Sequence, residues 1–541
     1  MKTANDICQL KKICIRLNLE NQKHVKFKES KYIENMPIES IIARKSLGVL
    51  MHPTCIPGGR VCGTFGRGAK EWIRKLHKHG IEYWQFLPLT PTDSTGSPYS
   101  SPSSFALNPW FLDIDDLIEK GFIYISDKEN LGPTNQNKDH FDFAIADELT
   151  KKLGLLLLQG WSSQSEERKI NFNKWVSRHS WVEDYATFIV IREEFNMLPW
   201  WEWPQEFKIK NNKFLKSWIK KKSEEILIKK LIQWHLDEQW SVIKNFAKSR
   251  NIKLIGDLPF YVSRDSADVW SNKSLFSIFK NGDLIFQSGV PPDYFSSTGQ
   301  LWGTPTYFWS KHKKTNFNWW RKRFQRQFEL VDILRFDHFR GLAGYWRVNG
   351  NSKTAIIGKW INSPGKTLLN KVKKDLGGNY LPIIAEDLGV ITPEVEKLRK
   401  NFELPGMKIL QFAFDGNEDN PYLPKNIEGE NWVVYTGTHD NSTSVSWWEN
   451  LDYESQKRIK DEYKFSENPS WDLIEIGMET NANLFIAPLQ DLLSLDDSSR
   501  LNKPGTTKNN WKWKLNCPLE EIEKNIKMFS ELGNNFGRTL K

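Results

Sequence analysis

A (β/α)8 barrel with large, mainly helical insertions over its C-terminal face is the α/β fold this sequence predicts, on three observations. Seven short apolar runs recur along the chain, each ending in a polar or Gly/Pro-rich loop, as buried parallel strands followed by βα loops do. No GxGxxG follows any of them, so the dinucleotide-binding form of an open doubly wound sheet has no support. Three strand-like segments also end in a carboxylate, and in barrels the C-terminal strand ends converge on one mouth.

Taken in order, residues 1–45 read as an N-terminal extension without recognisable chemistry, and residues 46–541 as the barrel with its insertions. The runs are Leu47–Met51, Tyr83–Leu87, Lys253–Ile255, Val331–Leu334, Ile383–Ala385, Lys408–Phe412 and Trp432–Tyr435. The interval from Leu87 to Lys253 is far longer than the roughly 30 residues of one βα unit in a barrel of about 250. An inserted helical subdomain over about 115–250 is expected there, above the barrel mouth. It is rich in tryptophan, with Trp161, Trp175, Trp181, Trp200, Trp201, Trp203, Trp218, Trp234 and Trp240. A second inserted region, about 261–320, is expected to form a lid or loop.

With 541 residues, 39% hydrophobic and 26% charged, the chain has the balance of a globular protein rather than a disordered or membrane one. No stretch approaches the ~18 apolar residues of a membrane span. The formal charge of +10 is scattered through Lys-rich stretches such as Phe214–Lys230. No RNA- or DNA-binding signature accompanies it, so a nucleic-acid partner is not expected. Cys8, Cys14, Cys55, Cys62 and Cys517 are odd in number and form no disulfide framework, and Met1–Glu20 lacks the apolar core of a secretory signal. The expected compartment is the cytoplasm.

The three acidic segments are Val331-Asp-Ile-Leu-Arg-Phe-Asp337, Leu381-Pro-Ile-Ile-Ala-Glu386-Asp387 and Trp432-Val-Val-Tyr-Thr-Gly-Thr-His-Asp440. Cleaving a bond between sugars needs an acid for the leaving oxygen and, for retention of configuration, a carboxylate that attacks the anomeric carbon. Asp337, Glu386 and Asp440 supply both and one more. Arg335, two residues before Asp337 on a strand of period two, points the same way, where a guanidinium keeps a nucleophilic carboxylate ionised. His439 adjoins Asp440 as a donor suited to a sugar hydroxyl. Each segment also has a plainer reading: an Asp337–Arg335 salt bridge, a helix N-cap at Asp387 or Thr392, and an Asx-rich turn at Thr438–Thr443.

Further segments join these. They are Gly48-Val-Leu-Met-His-Pro-Thr, Trp84-Gln-Phe-Leu-Pro-Leu-Thr-Pro-Thr, Ser97-Pro-Tyr, Gly256-Asp-Leu-Pro, Gly289-Val-Pro-Pro-Asp-Tyr-Phe-Ser, Gly299-Gln-Leu-Trp-Gly and Pro405-Gly-Met-Lys. With Arg335-Phe-Asp-His-Phe-Arg-Gly, Ala385-Glu-Asp-Leu-Gly and Tyr435-Thr-Gly-Thr-His-Asp-Asn, and in this order from about residue 46 to about 515, the chain resembles the 4-alpha-glucanotransferases of glycoside hydrolase family 77, also called amylomaltases or disproportionating enzymes. The resemblance implies that Asp337 is the nucleophile, Glu386 the general acid/base and Asp440 the transition-state stabiliser. It places Arg335, His439, Tyr99 and Asp257 around the donor sugar, and makes Gly289–Gly303 a lid from which Asp293 and Tyr294 contact glucan. Trp302, His338 and Asn441 count with these as substrate-binding residues. The implied partners are a 1,4-alpha-glucan donor and a glucose or maltodextrin acceptor, with no metal, organic cofactor, nucleic acid or membrane.

The chain departs from the family pattern at Cys55, Thr64, Thr304, Val348 and Leu501, none of them in the carboxylate trio. Two other functions use the same residues: an alpha-glucan hydrolase, with water as acceptor, and a catalytically inactive glucan-binding protein.

Overall fold

Eight short strands, buried through most of their length, run parallel and carry the site at one end. They are β1 (Ser46–Leu50), β2 (Tyr83–Gln85), β3 (Lys253–Pro259), β6 (Ile333–Asp337), β9 (Ile383–Ala385), β10 (Gly406–Ile409), β11 (Trp432–Tyr435) and β12 (Leu484–Pro488). They follow the order β10-β11-β12-β1-β2-β3-β6-β9. The ring closes where the Ala385 amide donates to the Pro405 carbonyl at 2.8 Å, between β9 and β10. This is a (β/α)8 barrel, seen in a computed structural model that describes residues 41–132, 139–292, 296–389 and 391–539. The expected extension over 1–45 therefore lies almost wholly outside the described residues.

Burial on both faces explains why the strands read as continuous apolar runs instead of alternating ones. Leu484-Phe-Ile-Ala-Pro is such a run, buried at every position, and is the eighth strand that the seven sequence runs omit. Strand ends also differ from the sequence reading. β3 extends to Pro259, so Asp257 lies within it, while Leu410–Phe412 is a 3-10 turn after β10. Between β1 and β2 the helix Arg67–Lys78 buries Ala69, Trp72, Ile73 and Leu76, the i, i+3, i+4, i+7 stripe that a helix packed on a barrel requires.

The long interval between β2 and β3 holds the helices Phe143–Trp161, Glu166–Arg178, Trp181–Glu194, Asn212–Lys221 and Ser223–Lys248. Asp142, Ser165 and Asn211 cap the first, second and fourth by accepting from backbone amides. The last helix leads into β3 and packs on the barrel. Its Trp240 donates to the Leu330 carbonyl at 2.8 Å and packs against Phe65, Trp84 and Phe86. Trp240 thus belongs to the barrel's own packing, whereas Trp161, Trp175 and Trp234 pack within the insertion.

Sequence patterning did not foresee a second sheet. β4 (Phe286–Val290), β5 (Gln300–Pro305), β7 (Gly344–Asn349) and β8 (Gly358–Asn362) form an antiparallel sheet of order β5-β4-β7-β8. It draws β4 and β5 from the excursion after β3, and β7 and β8 from the one after β6. The expected lid segment Gly289–Gly303 spans the end of β4 and most of β5, where Gly299 and Gly303 take φ near +66°, a conformation open to glycine.

Candidate active site

Strand register assembles the site. Asp257 on β3 is the partner of Arg335 on β6, and Pro259 the partner of Asp337. One nitrogen of Arg335, Nη1, therefore reaches Asp257 Oδ2 at 2.7 Å and Asp337 Oδ1 at 3.1 Å. Tyr99 donates its hydroxyl to the same Asp257 oxygen at 2.7 Å. Burial opposes the Arg335 charge, but Asp257 and Asp337 hold the guanidinium well above its ordinary pKa. Burial, with Asp257 alongside, holds the Tyr99 phenol well above its own, so it remains a donor. The salt-bridge reading of Asp337 and Arg335 is correct, and the bridge lies inside the carboxylate cluster.

Glu386 meets Asp337 through a local irregularity. On β6 and β9, Phe336 pairs with Ala385, and the Glu386 amide donates to the Phe336 carbonyl at 3.1 Å. A regular parallel ladder would return the His338 amide to the Glu386 carbonyl; instead Phe339 makes that bond at 3.1 Å. His338 is thus an extra residue, in the left-handed region at φ +57°, and its released amide donates to Glu386 Oε2 at 2.7 Å. Burial pushes the Glu386 carboxyl up to about 8; Arg335 and the His338 amide pull the other way, and Asp337 and Asp387 add to the rise.

Asp387, by contrast, is a structural group. It accepts from the Met407 amide at 2.8 Å and pairs with Arg399 at 3.2 Å, while Thr392 takes the N-cap position of the helix Pro393–Asn401.

Asp440 comes from the loop after β11. Its Oδ2 lies 3.3 Å from His439 Nε2, and the His439 ring stacks on Tyr99 at 5.2 Å and 8°. A continuous series of contacts therefore links Asp337, Arg335, Asp257, Tyr99, His439 and Asp440. The Asp337 and Asp440 side chains keep 31% and 46% exposure, which leaves both open to a ligand in the mouth. Asn441 instead holds the loop in shape. Its Oδ1 accepts from the Thr438 amide and hydroxyl at 2.9 and 2.8 Å, the Asx-type turn expected of this segment.

Trp302 on β5 stands edge-on to His338 at 5.1 Å, with Tyr261 beside both. Burial lowers the His338 imidazole to about 4, against the pull of Asp337, so the ring is neutral at physiological pH. Asp293 and Tyr294 lie outside the described residues. Among the described residues no three His, Cys, Asp or Glu side chains converge to hold a metal ion.

Sequence reasoning missed Asn502, Arg500 and Trp511. Asn502 Nδ2 donates to Asp440 Oδ1 at 2.6 Å, Arg500 donates to the Asp440 carbonyl, and Trp511 packs on Tyr99 and His439. Arg500, Leu501 and Asn502 stand in a near-C-terminal segment that resembles the family, which was the available signal.

The sequence profile of the 4-alpha-glucanotransferases, glycoside hydrolase family 77, matches residues 51–520. The chain belongs to this family. It is 40% identical to the 4-alpha-glucanotransferase of Synechocystis sp. over 479 residues, 88% of this chain and 94% of that one. It is also 40% identical to the Clostridium butyricum 4-alpha-glucanotransferase over 471 residues, 86% of this chain and 95% of that one. Among solved structures it is similar to the amylomaltase from Streptococcus agalactiae in complex with acarbose, at 34% identity and a TM-score of 0.87, covering 92% of this chain and all of that one. The protein is an enzyme of the 4-alpha-glucanotransferase type, built on the barrel the sequence predicts. Among the described residues of this transferase, no helix is long and apolar enough to cross a membrane.

Proposed function

We propose that the enzyme moves a segment of a 1,4-alpha-glucan to the 4-hydroxyl of glucose or a maltodextrin by a retaining double displacement. Glu386 begins protonated and gives its proton to the departing glycosidic oxygen as Asp337 attacks the anomeric carbon. The bond to the leaving glucan breaks and a glycosyl–Asp337 ester forms. The acceptor's 4-hydroxyl then displaces Asp337 and its proton passes to Glu386, which restores both groups.

The observation that carries this reading is the pair of strand-end carboxylates on neighbouring strands. Asp337 accepts from the buried Arg335 guanidinium at 3.1 Å, while the Glu386 carboxyl is pushed up to about 8 and holds its proton at neutral pH. Asp440, held by Asn502 and His439, is placed to grip sugar hydroxyls and stabilise developing positive charge. Asp257 Oδ1 is a buried acceptor with no partner among the described residues, suited to a donor-sugar hydroxyl.

Transfer prevails over hydrolysis when acceptor sugar displaces water from the intermediate. Trp302 and Tyr261 form an aromatic wall beside His338 that supports this, and we assign glucan contacts to Asp293 and Tyr294. In the same reading, residues 46–541 are one catalytic unit, the helical insertion and the lid region shape the mouth, and the enzyme works in the cytoplasm.

Incubation with maltotriose tests the reaction. A ladder of longer maltodextrins with free glucose, at nearly constant total reducing ends, is the expected result, and Asp337→Asn abolishes it. Rising reducing ends without longer products would make the protein a hydrolase.

A further inference from the structure

A cavity of about 280 Å³, outside the carboxylate cluster, lies between the helical insertion at Trp181 and the helix Asn318–Leu330 that precedes β6. None of Asp337, Glu386 and Asp440 lines it.

Three buried donors on residues that line this cavity, Arg326 Nη2, Trp181 Nε1 and Trp319 Nε1, have no hydrogen-bond partner among the described residues. Arg326 is 3% exposed; its Nε donates to the Phe105 carbonyl at 3.1 Å and its Nη1 pairs with Asp237 at 2.7 Å, but Nη2 has no acceptor among the described residues. Trp181 Nε1 and Trp319 Nε1 are likewise buried and without an acceptor among the described residues. Each such donor costs about 1–3 kcal/mol when left unmet, and a ligand oxygen removes that penalty.

The rest of the lining narrows the ligand class. The Trp181 ring, with Phe105 stacked beside it at 6.4 Å and the Arg326 guanidinium over it at 5.3 Å, adds aromatic surface to the wall. Asn272, Asn318 and Gln325 add amides that both donate and accept, as a hydroxyl does. The formal charges on the wall balance, with Arg178, Lys322 and Arg326 against Asp184, Asp268 and Glu329. Such a wall gives no net attraction to a phosphate or carboxylate. A neutral ring that bears hydroxyls around its edge and C–H groups on its face matches every part, and the volume suits one or two such rings.

We propose that this cavity is a non-catalytic saccharide site that anchors one or two sugar units of the glucan. That the sugar is an α-glucan rests on the transferase reading above; the site itself does not.

Calorimetric titration of Asp337→Asn protein with maltotriose is expected to show two classes of site. Trp181→Ala and, separately, Gln325→Trp, which fills the cavity from an exposed position, should each weaken one class by at least about tenfold, or ~1.4 kcal/mol, and leave the other. In the otherwise wild-type enzyme, both variants should retain maltotriose disproportionation and show a raised KM for long amylose only. A single class in Asp337→Asn, or two unchanged classes in a folded Gln325→Trp variant, overturns the proposal. Competition by inorganic phosphate or glucose 6-phosphate for the variant-sensitive class overturns the neutral-sugar assignment. Loss of the reaction reading is separable: wild-type enzyme that disproportionates nothing, yet keeps the variant-sensitive class, would refute the transferase reading and leave the site standing.

Discussion

Glu386→Gln is expected to make the protein more stable at neutral pH while it removes transfer. The carboxyl titrates ordinarily at 4.5 and is pushed up to about 8 in the folded chain, by burial first. Between these values the folded state keeps a proton that the unfolded chain releases. Stability therefore falls as pH rises from about 4.5, and this loss is complete above about 8. At pH 7 the interval is roughly 2.5 pH units, and at about 1.36 kcal/mol each the ceiling is about 3.4 kcal/mol. Solvent at the mouth screens the half-buried carboxyl and reduces this to ~1–3 kcal/mol. Glutamine cannot ionise, and its carbonyl still accepts from the His338 amide. The Leu388 amide, 3.3 Å from Oε1, loses an acceptor, an opposing effect that is the same once the carboxyl's state is set.

Unfolding of wild type and variant, by heat and by urea at pH 4.5, 6 and 7.5, is the assay. With about 2.1 cal/mol/K of unfolding entropy per residue in a chain this long, the variant's Tm should exceed that of wild type by ~1–3 °C at neutral pH. The two should converge towards pH 4.5. A difference that stays constant across the range refutes the buried, proton-holding carboxyl.

The same proton predicts a falling limb in kcat/KM for maltotriose as pH rises through about 8, where Glu386 can no longer act as an acid; a flat profile to pH 10 would remove that role. Asn502→Ala deletes the 2.6 Å bond to Asp440 and should lower kcat by about 10- to 100-fold, the worth of a hydrogen bond to a charged group, without lowering Tm by more than a few degrees; unchanged kcat would make Asn502 incidental. Arg335→Met strands the buried Asp257 and should destabilise the fold by about 3–5 kcal/mol in urea unfolding, besides abolishing transfer; a fully stable variant would contradict the network. Trp302→Ala should raise the proportion of hydrolysis, read as growth of reducing ends during maltotriose turnover, because it removes the ring beside His338.

Much of the barrel was legible because parallel strands buried on both faces leave a local trace, a run of apolar residues closed by a loop. Seven of eight strands carried it clearly enough to be read. The eighth, Leu484–Pro488, carries it too, but runs straight into the helical turn Leu489–Leu492 with no glycine-rich loop to mark its end. The second sheet left no comparable trace. Its strands come from two separate excursions, half-exposed and rich in glycine and tryptophan, and they pair only because β6 brings those excursions together.

The site divides along the same line. The trio Asp337, Glu386 and Asp440, and the Arg335 offset, follow from residue type, strand period and the rule that strand ends meet at the barrel mouth; all of that is encoded within a few residues. Tertiary structure alone decided that Arg335 Nη1 is shared by Asp257 and Asp337, that an extra residue at His338 turns a ladder amide towards Glu386, and that Asn502 holds Asp440 from sixty-two positions away. Chemistry is carried by the identity of side chains, which a sequence states outright. Proton affinity and orientation depend on burial and on distances between segments remote in the chain, and these exist only once the chain has closed into a barrel.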